Sequence, residues 1–332
     1  MQKIHKAKKS LGQNFLKSET ALRKIVEAGE IKPSDIILEI GPGKGALTEK
    51  LLEHAGCVIA IEKDRDLFTI LQEKFKNEIS IGKLILIEDD ILKCSTSSFF
   101  SSLRPSSSTK WDPRDQKKRR IYAPEQGILE RTLGRSVDDG QRKFSAENFR
   151  GESEDTMLVG YKIIANIPYN ITGAILKKFL TEQNQPSMMV LMVQNEVAKR
   201  IVARDGKESI LSISIKAYGT PKLEMKVPAR YFSPAPKVDS AIISIKNISR
   251  NFFTQSVQSS TLNTLNTTSQ GLSSQVFEEK FWKIIHAGFA HKRKKLSNNL
   301  KNYIGKTYGE TYGNKRAEDL TLSDWLLLTK SK

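Results

Sequence analysis

Ile36-Ile37-Leu38-Glu39-Ile40-Gly41-Pro42-Gly43-Lys44-Gly45-Ala46-Leu47-Thr48-Glu49-Lys50-Leu51-Leu52 is the stretch whose reading decides the fold. Its first five residues form an apolar run with one acid, which suits a strand buried in a parallel sheet. The last seven carry helical spacing. Strand, glycine-rich turn and helix together form the layout of a nucleotide-cofactor site, because glycines let the backbone approach a ligand closely. The glycine spacing is not G-x-G-x-x-G. Ala46 follows Gly45, so the G-K-[ST] ending of a phosphate loop is missing too. A dinucleotide or ATP is therefore disfavoured.

Outward from the loop, Val58-Ile59-Ala60-Ile61 ends in Glu62, and Leu84-Ile85-Leu86-Ile87 ends in Glu88-Asp89-Asp90. An acid about twenty residues past the glycines is where a doubly wound fold receives ribose hydroxyls. An acid at the next strand end can accept an adenine's exocyclic N–H. Either acid alone reads as a solvated strand end. Three successive strands with these endings, and Gly-x-Gly-x-Gly after a strand bearing Glu39, follow the pattern of S-adenosylmethionine (SAM) enzymes. Further on, Tyr161–Ala165 runs into Asn166-Ile167-Pro168-Tyr169. The Asn carbonyl can accept from an exocyclic amine, Pro168 stiffens the backbone, and Tyr169 offers a ring face to a base.

Leu11-Gly12-Gln13-Asn14-Phe15-Leu16, Glu39-Ile40-Gly41-Pro42-Gly43-Lys44-Gly45, Glu62-Lys63-Asp64, Asp89-Asp90, Asn166-Ile167-Pro168-Tyr169 and Phe232-Ser233-Pro234-Ala235-Pro236-Lys237-Val238-Asp239-Ser240 stand in this order. The chain thereby closely resembles the ribosomal RNA adenine dimethyltransferases, over nearly its whole length. The Phe-x-Pro-x-Pro-Lys-Val-Asp-Ser run and the segment from Phe289 through Arg293-Lys294-Lys295-Leu296 to Asn298 favour the small-subunit branch over the large-subunit methylases.

The resemblance implies an α/β, Rossmann-like SAM-dependent methyltransferase with a seven-stranded sheet, plus a small C-terminal all-helical domain. It implies dimethylation of N6 on two adjacent adenosines near the 3′ end of 16S rRNA, within an assembling small ribosomal subunit. Asn166, Pro168, Tyr169 and Phe232 would form the catalytic face, with Tyr169 and Phe232 sandwiching the extruded base. Asn14, Leu16, Gly41, Gly43, Glu62, Asp90 and Asn166 would hold SAM, with Gln13 closing over it from the N-terminal arm. A large-subunit methylase and a non-catalytic ribosome-assembly factor are the alternatives. Intact Gly41, Glu62, Asp90 and Asn166 argue against the latter.

The net charge of +17 calls for a polyanionic partner. The charge is clustered. Lys3, His5, Lys6, Lys8 and Lys9 precede the Gln13 motif, and His291, Lys292, Arg293, Lys294 and Lys295 lie near the C-terminus. Lys6, Lys8, Lys9, Arg293, Lys294 and Lys295 are the expected RNA contacts. Two cysteines, no apolar run of membrane-spanning length and no apolar leader fit a cytoplasmic protein without a membrane partner, expected as a monomer. No metal-ligand spacing occurs.

The expected organisation is a methyltransferase domain over 1–248, a linker over 249–275 rich in Ser, Thr, Asn and Gln, and a helical RNA-binding domain over 276–332. A polar insertion at about 95–158, containing Lys117-Lys118-Arg119-Arg120, interrupts the first domain and reads as disordered. Ile210–Ala217 alternates like a strand but would be a helix in the resembled fold, so its type stays open.

Overall fold

The computed structural model describes residues 6–94, 120–122, 160–261, 273–303 and 311–330. Lys3, His5 and almost all of the insertion lie outside them. Two compact units are present: Met1–Asn195 with Glu224–Ser244, and Glu196–Leu223 with Ile245–Lys332. The second unit therefore takes in a segment that the sequence assigns to the methyltransferase domain.

In the first unit, β1 (Phe15–Leu16) is followed by α1 (Glu19–Ala28), β2 (Ile36–Ile40), α2 (Ala46–His54), β3 (Cys57–Glu62), α3 (Arg65–Lys74), α4 (Lys76–Ser80) and β4 (Leu84–Glu88). The Ser18 hydroxyl caps α1 by accepting from Ala21 N–H, and Ala21, Leu22, Ile25 and Ala28 form its buried face. Every residue of β2 and β3 is buried, as the continuous apolar runs require of strands covered on both faces.

β5 (Arg120–Tyr122), β6 (Tyr161–Asn166), α5 (Thr172–Thr181), β7 (Met188–Gln194), α6 (Asn195–Val202), α7 (Ile210–Lys216), β8 (Thr220–Val227), β9 (Phe232–Ser233) and β10 (Ser240–Lys246) follow. The sheet order is β5-β4-β3-β2-β6-β7-β10-β8. The seven expected strands are all there. The eighth, β5, comes from the insertion and pairs antiparallel with β4, Ile121 opposite Ile87. β4, β3, β2, β6 and β7 pair in parallel throughout. They end on one edge of the sheet, and chain order reverses between β2 and β6. A crevice outside the strand ends at such a reversal is where this class of sheet binds ligands. β1 and β9 make a separate antiparallel ribbon, with Phe15 opposite Ser233 and Leu16 opposite Phe232.

Ile210–Lys216 is a helix. Ser209 and Ser212 form a reciprocal capping box, which starts a helix where alternation alone suggested a strand. The stretch expected as a linker begins with a helix, α8 (Asn251–Thr261), whose Phe253 is buried. In the second unit the rings of Tyr218, Phe252, Phe253, Phe281 and Trp282 gather at centroid distances of 4.9–6.2 Å. Beside them Arg250 Nη1 meets Glu278 at 2.5 Å.

Helix α9 (Ser274–Gly288), capped by Ser273, buries Phe277, Phe281, Ile284 and Ile285. Trp325 of α11 is fully buried and stacks on Phe289 at 5.6 Å; α11 spans Leu322–Lys330 and follows the short α10 (Leu296–Asn299). The terminal helix docks through Trp325 and Leu328, while Leu327 is exposed.

A Cβ at Gly288 would lie 2.3 Å from the Trp325 ring. Gly288→Ala gains roughly 1 kcal/mol of helix propensity. Overpacking against a fully buried indole costs about 1–3 kcal/mol. The expected outcome is a net loss of stability, read as a lower midpoint of thermal unfolding followed by tryptophan fluorescence.

A cleft at the strand ends and its candidate site

At the reversal point a cleft of about 590 Å³ opens, lined by the arm from Ser10 to Lys17, the glycine loop, Glu39, Glu62, Asp89, Asp90 and Asn166–Ile171. Gly41, Gly43 and Gly45 have φ of +67°, +62° and +77°, the left-handed region that glycine reaches without strain. Gly45 must also stay bare because its Cβ would strike the Phe75 ring at 2.5 Å. At Gly41 a Cβ would meet nothing within 4 Å, so its backbone borders open cleft.

Glu62 fastens this loop. Its Oε2 accepts the Gly43 N–H at 3.1 Å and its Oε1 the Asp64 N–H at 2.8 Å. Its backbone carbonyl accepts Asp89 N–H at 3.1 Å, and Gly41 N–H donates to the Ile61 carbonyl at 2.9 Å. Each carboxylate oxygen has capacity for a further donor, which is what a pair of hydroxyls requires. Burial pushes the Glu62 carboxyl up to about 7, against the pull of the Asp64 and Gly43 N–H groups. Glu39 lies deeper, 1 % exposed, and its Oε2 is buried without a hydrogen-bond partner. Burial drives it to about 8 against the pull of the neighbouring Thr48 hydroxyl, with the nearby Glu62 charge adding to the rise.

Asp90 sits at the end of β4. Burial opposes its ionisation, but the Lys63 ammonium at 2.9 Å and the Leu92 N–H at 3.1 Å hold it below its ordinary value. Asn14 and Asn166 are joined directly: Asn166 Nδ2 donates to the Asn14 carbonyl at 3.3 Å. That bond assigns the amide's orientation and leaves Oδ1 as acceptor. Pro168 and Tyr169 line the same wall, and the Tyr169 hydroxyl is bonded to the buried Ser240 hydroxyl.

Asn14, Leu16, Gly41, Gly43, Glu62, Asp90, Asn166, Pro168 and Tyr169 thus converge on one cleft. Phe232 does not. It is 2 % exposed and packs in the apolar core, while its neighbour Ser233 lines the cleft. Adjacent strand residues face opposite ways, so only one of the two can reach the ligand side. Lys8 is placed differently from Lys6 and Lys9. Its ammonium lies 2.6 Å from Asp64 and 2.7 Å from Asp66, so its charge is engaged within the molecule. Lys6, Lys9, Arg293, Lys294 and Lys295 are exposed. The orphaned Glu39 oxygen, the Ser240 bond and the Asp64 contacts were not anticipated. Asp64 and Ser240 both stand inside quoted motifs, but their partners are distant in sequence.

The model of the family described as "Ribosomal RNA adenine dimethylase" matches residues 4–258. The ribosomal RNA small subunit methyltransferase A of Dehalococcoides mccartyi (strain CBDB1) is 36 % identical over 300 residues, 90 % of this chain and 76 % of that protein. The protein of the same name from Fusobacterium nucleatum is 29 % identical over 335 residues, 98 % of this chain and 97 % of its own. Among solved structures, a dimethyladenosine transferase from Plasmodium falciparum superposes with a TM-score of 0.61 at 23 % identity, covering 95 % of each chain. The 23S rRNA methyltransferase ErmE superposes with a TM-score of 0.60 at 19 % identity, covering 96 % of this chain and 98 % of its own. At these identities the two structures speak for the fold.

The two raised carboxyls generate a pH prediction. Their folded-state values exceed the ordinary 4.5, so the native state holds protons that the unfolded chain releases. Stability on their account is full below about pH 4.5 and falls as pH rises through 7–8. Glu39→Gln removes the larger contribution. Its unfolding midpoint is expected to exceed wild type at pH 8.5, by the equivalent of about 1–4 kcal/mol, with the difference shrinking at pH 5.5. Equal differences at both pH values in calorimetric scans would show that Glu39 is not the titrating group.

Proposed function

The chain belongs to the ribosomal RNA adenine dimethylase family, and we propose that it dimethylates N6 of two adjacent adenosines near the 3′ end of 16S rRNA, on the assembling small ribosomal subunit. It is a SAM-dependent methyltransferase of Rossmann-like fold. The small-subunit assignment rests on the names of the curated relatives. Its action in the cytoplasm as a monomer belongs to the same reading. Among the described residues no helix is long and apolar enough to cross a membrane.

The residues fit the cofactor. Open space at Gly41 admits a ligand against bare backbone, and the buried Glu39 carboxyl lining the same cleft has one oxygen without a hydrogen-bond partner. Glu62 would take the ribose hydroxyls, Asp90 the adenine amine, and Asn14, Leu16, Gly41 and Gly43 the remaining contacts. The bound cofactor supplies an electrophilic methyl group on a good thioether leaving group.

The observation that carries the proposal is the Asn166 amide. With Nδ2 committed to the Asn14 carbonyl, Oδ1 is the atom left to accept one N6 hydrogen of an adenine. The Ile167 or Pro168 backbone carbonyl would accept the other. Adenine N6 is a poor nucleophile because its lone pair is delocalised into the ring. Two acceptors in fixed positions would turn that lone pair toward the transferable methyl group, and positioning of this kind lowers the barrier. The proton is then lost to water, so no general base is required. Tyr169, held by Ser240, would stack on the extruded base. The Asn166–Asn14 bond also ties the substrate acceptor to the arm that borders the cofactor region.

RNA docking is assigned to Lys6, Lys9 and the run Arg293, Lys294, Lys295 on the helical unit. The run lies between α9 and α10, where the folded backbone holds the charges in a fixed array.

Asn166→Ala is expected to abolish methyl transfer to undermethylated 30S subunits while SAM binding by calorimetry is largely kept, since Asn14, Leu16, Gly41, Gly43, Glu62 and Asp90 remain to hold the cofactor. Turnover near normal would remove Asn166 from its role, and labelling of 50S alone would redirect the substrate assignment. Replacing Arg293, Lys294 and Lys295 together by Ala should weaken subunit binding and flatten its salt dependence by roughly 0.7–0.9 in slope per lost phosphate contact. SAM affinity should stay unchanged. A wild-type salt slope would exclude these residues from the RNA interface.

A further inference from the structure

One buried carboxylate holds the N-terminal arm against the end of β3. The Asp64 side chain has no solvent exposure. Its Oδ1 receives the Lys8 ammonium at 2.6 Å, and its Oδ2 receives Gln13 Nε2 at 2.7 Å. Lys8 and Gln13 are themselves tied, since the Lys8 N–H donates to Gln13 Oε1 at 2.8 Å. Asp66 gives the ammonium a second partner at 2.7 Å. The arm thus meets Asp64 through both oxygens, and the Lys8 contact is charge-assisted.

The same residue reaches into the cofactor region through its backbone. The Asp64 N–H donates to Glu62 Oε1, and Asp64 Oδ1 also accepts the Asp66 N–H as the cap of α3. The arm's other end is pinned independently. Lys17 N–H donates to the Tyr231 carbonyl at 2.8 Å, and β1 pairs with β9. Between the two anchors lie Ser10 to Leu16, which line the cleft, and Asn14, whose carbonyl orients Asn166. A strap fixed at both ends can hold Asn14 and Leu16 in register. Freed at the Lys8 end, it keeps the two-residue ribbon, the Lys17 bond and the single Asn166–Asn14 bond.

We propose that Asp64 is a positioning residue for methyl transfer: with Lys8 and Gln13 it clasps the N-terminal arm over the cofactor region, and through Glu62 it links that closure to cofactor retention. The inference rests on the cofactor assignment made above for this cleft. It also reassigns Lys8, whose ammonium faces two carboxylates, from phosphate contact to clasp. The cofactor and the demethylated product, S-adenosylhomocysteine, would both be retained by the arm, so its opening would accompany product release. The Gln13 amide serves both partners at once, donating to Asp64 and accepting from the Lys8 N–H.

The test uses the full chain with Lys8→Met, Lys8→Arg and Asp64→Asn. Hydrogen exchange of residues 10–17 is followed without ligand, and S-adenosylhomocysteine binding is followed by calorimetry. Lys8→Met is expected to speed exchange across 10–17 and to weaken S-adenosylhomocysteine binding by about tenfold, the scale of one charge-assisted hydrogen bond. KM for SAM should rise in parallel, with kcat at saturating SAM within about twofold. Lys8→Arg should restore both readouts, and Asp64→Asn should match Lys8→Met. Wild-type exchange and affinity in Lys8→Met would overturn the clasp. So would a change confined to the salt dependence of 30S binding, which would return Lys8 to the RNA. If the unaltered protein binds no S-adenosylhomocysteine, the cofactor reading fails, and arm exchange alone then decides the clasp.

Discussion

Placing a carboxylate where water cannot reach it is costly unless donors surround it, and the first unit is arranged around that constraint at Glu62. Its two oxygens bind N–H groups from two different loops, and its backbone carbonyl takes a third from the end of β4. One residue thereby sets the relative positions of the glycine loop, the β3 turn and the β4 turn. These bonds are local consequences of parallel pairing, which brings the C-terminal ends of β2, β3 and β4 side by side. A shift of one residue in register would turn every side chain to the other face of the sheet and break the arrangement.

Glu39 shows the opposite choice. Its carboxyl lies deeper still, yet one oxygen has no partner, and burial raises it to about 8. A buried polar group without a partner is a standing cost. Glu39 lines the same cleft as the bare Gly41 backbone.

The strong basic excess divides into two populations. Lys8, Lys63 and Lys162 are committed to Asp64 and Asp66, Asp90, and Asp35. Lys6, Lys9 and the run from Lys292 to Lys295 are exposed. On the proposed reading it is the second kind that would exchange counterions for phosphates, although the paired Lys63 also keeps an exposed side chain. Net charge alone cannot separate them, because the pairing partners lie far away in the chain: Lys8 and Asp64 are 56 residues apart.

The sequence by itself determined the strand–glycine–helix opening, the acids at the strand ends and the Asn-Ile-Pro-Tyr turn, because these depend on local period and turn chemistry. It therefore named most of the cleft, from Gly41 to Tyr169. It could not settle Ile210–Lys216, where a period-two pattern competed with a serine capping box, and it did not foresee a helix at Asn251–Thr261, where burial of Phe253 in an aromatic cluster outweighs a polar composition. Tertiary structure alone decided which of Phe232 and Ser233 faces the ligand, which lysines are paired, which way the Asn166 amide points and which buried oxygen lacks a donor. Each of these depends on a partner brought close by strand pairing or packing, and distance in space between residues remote in the chain is not written in any local pattern.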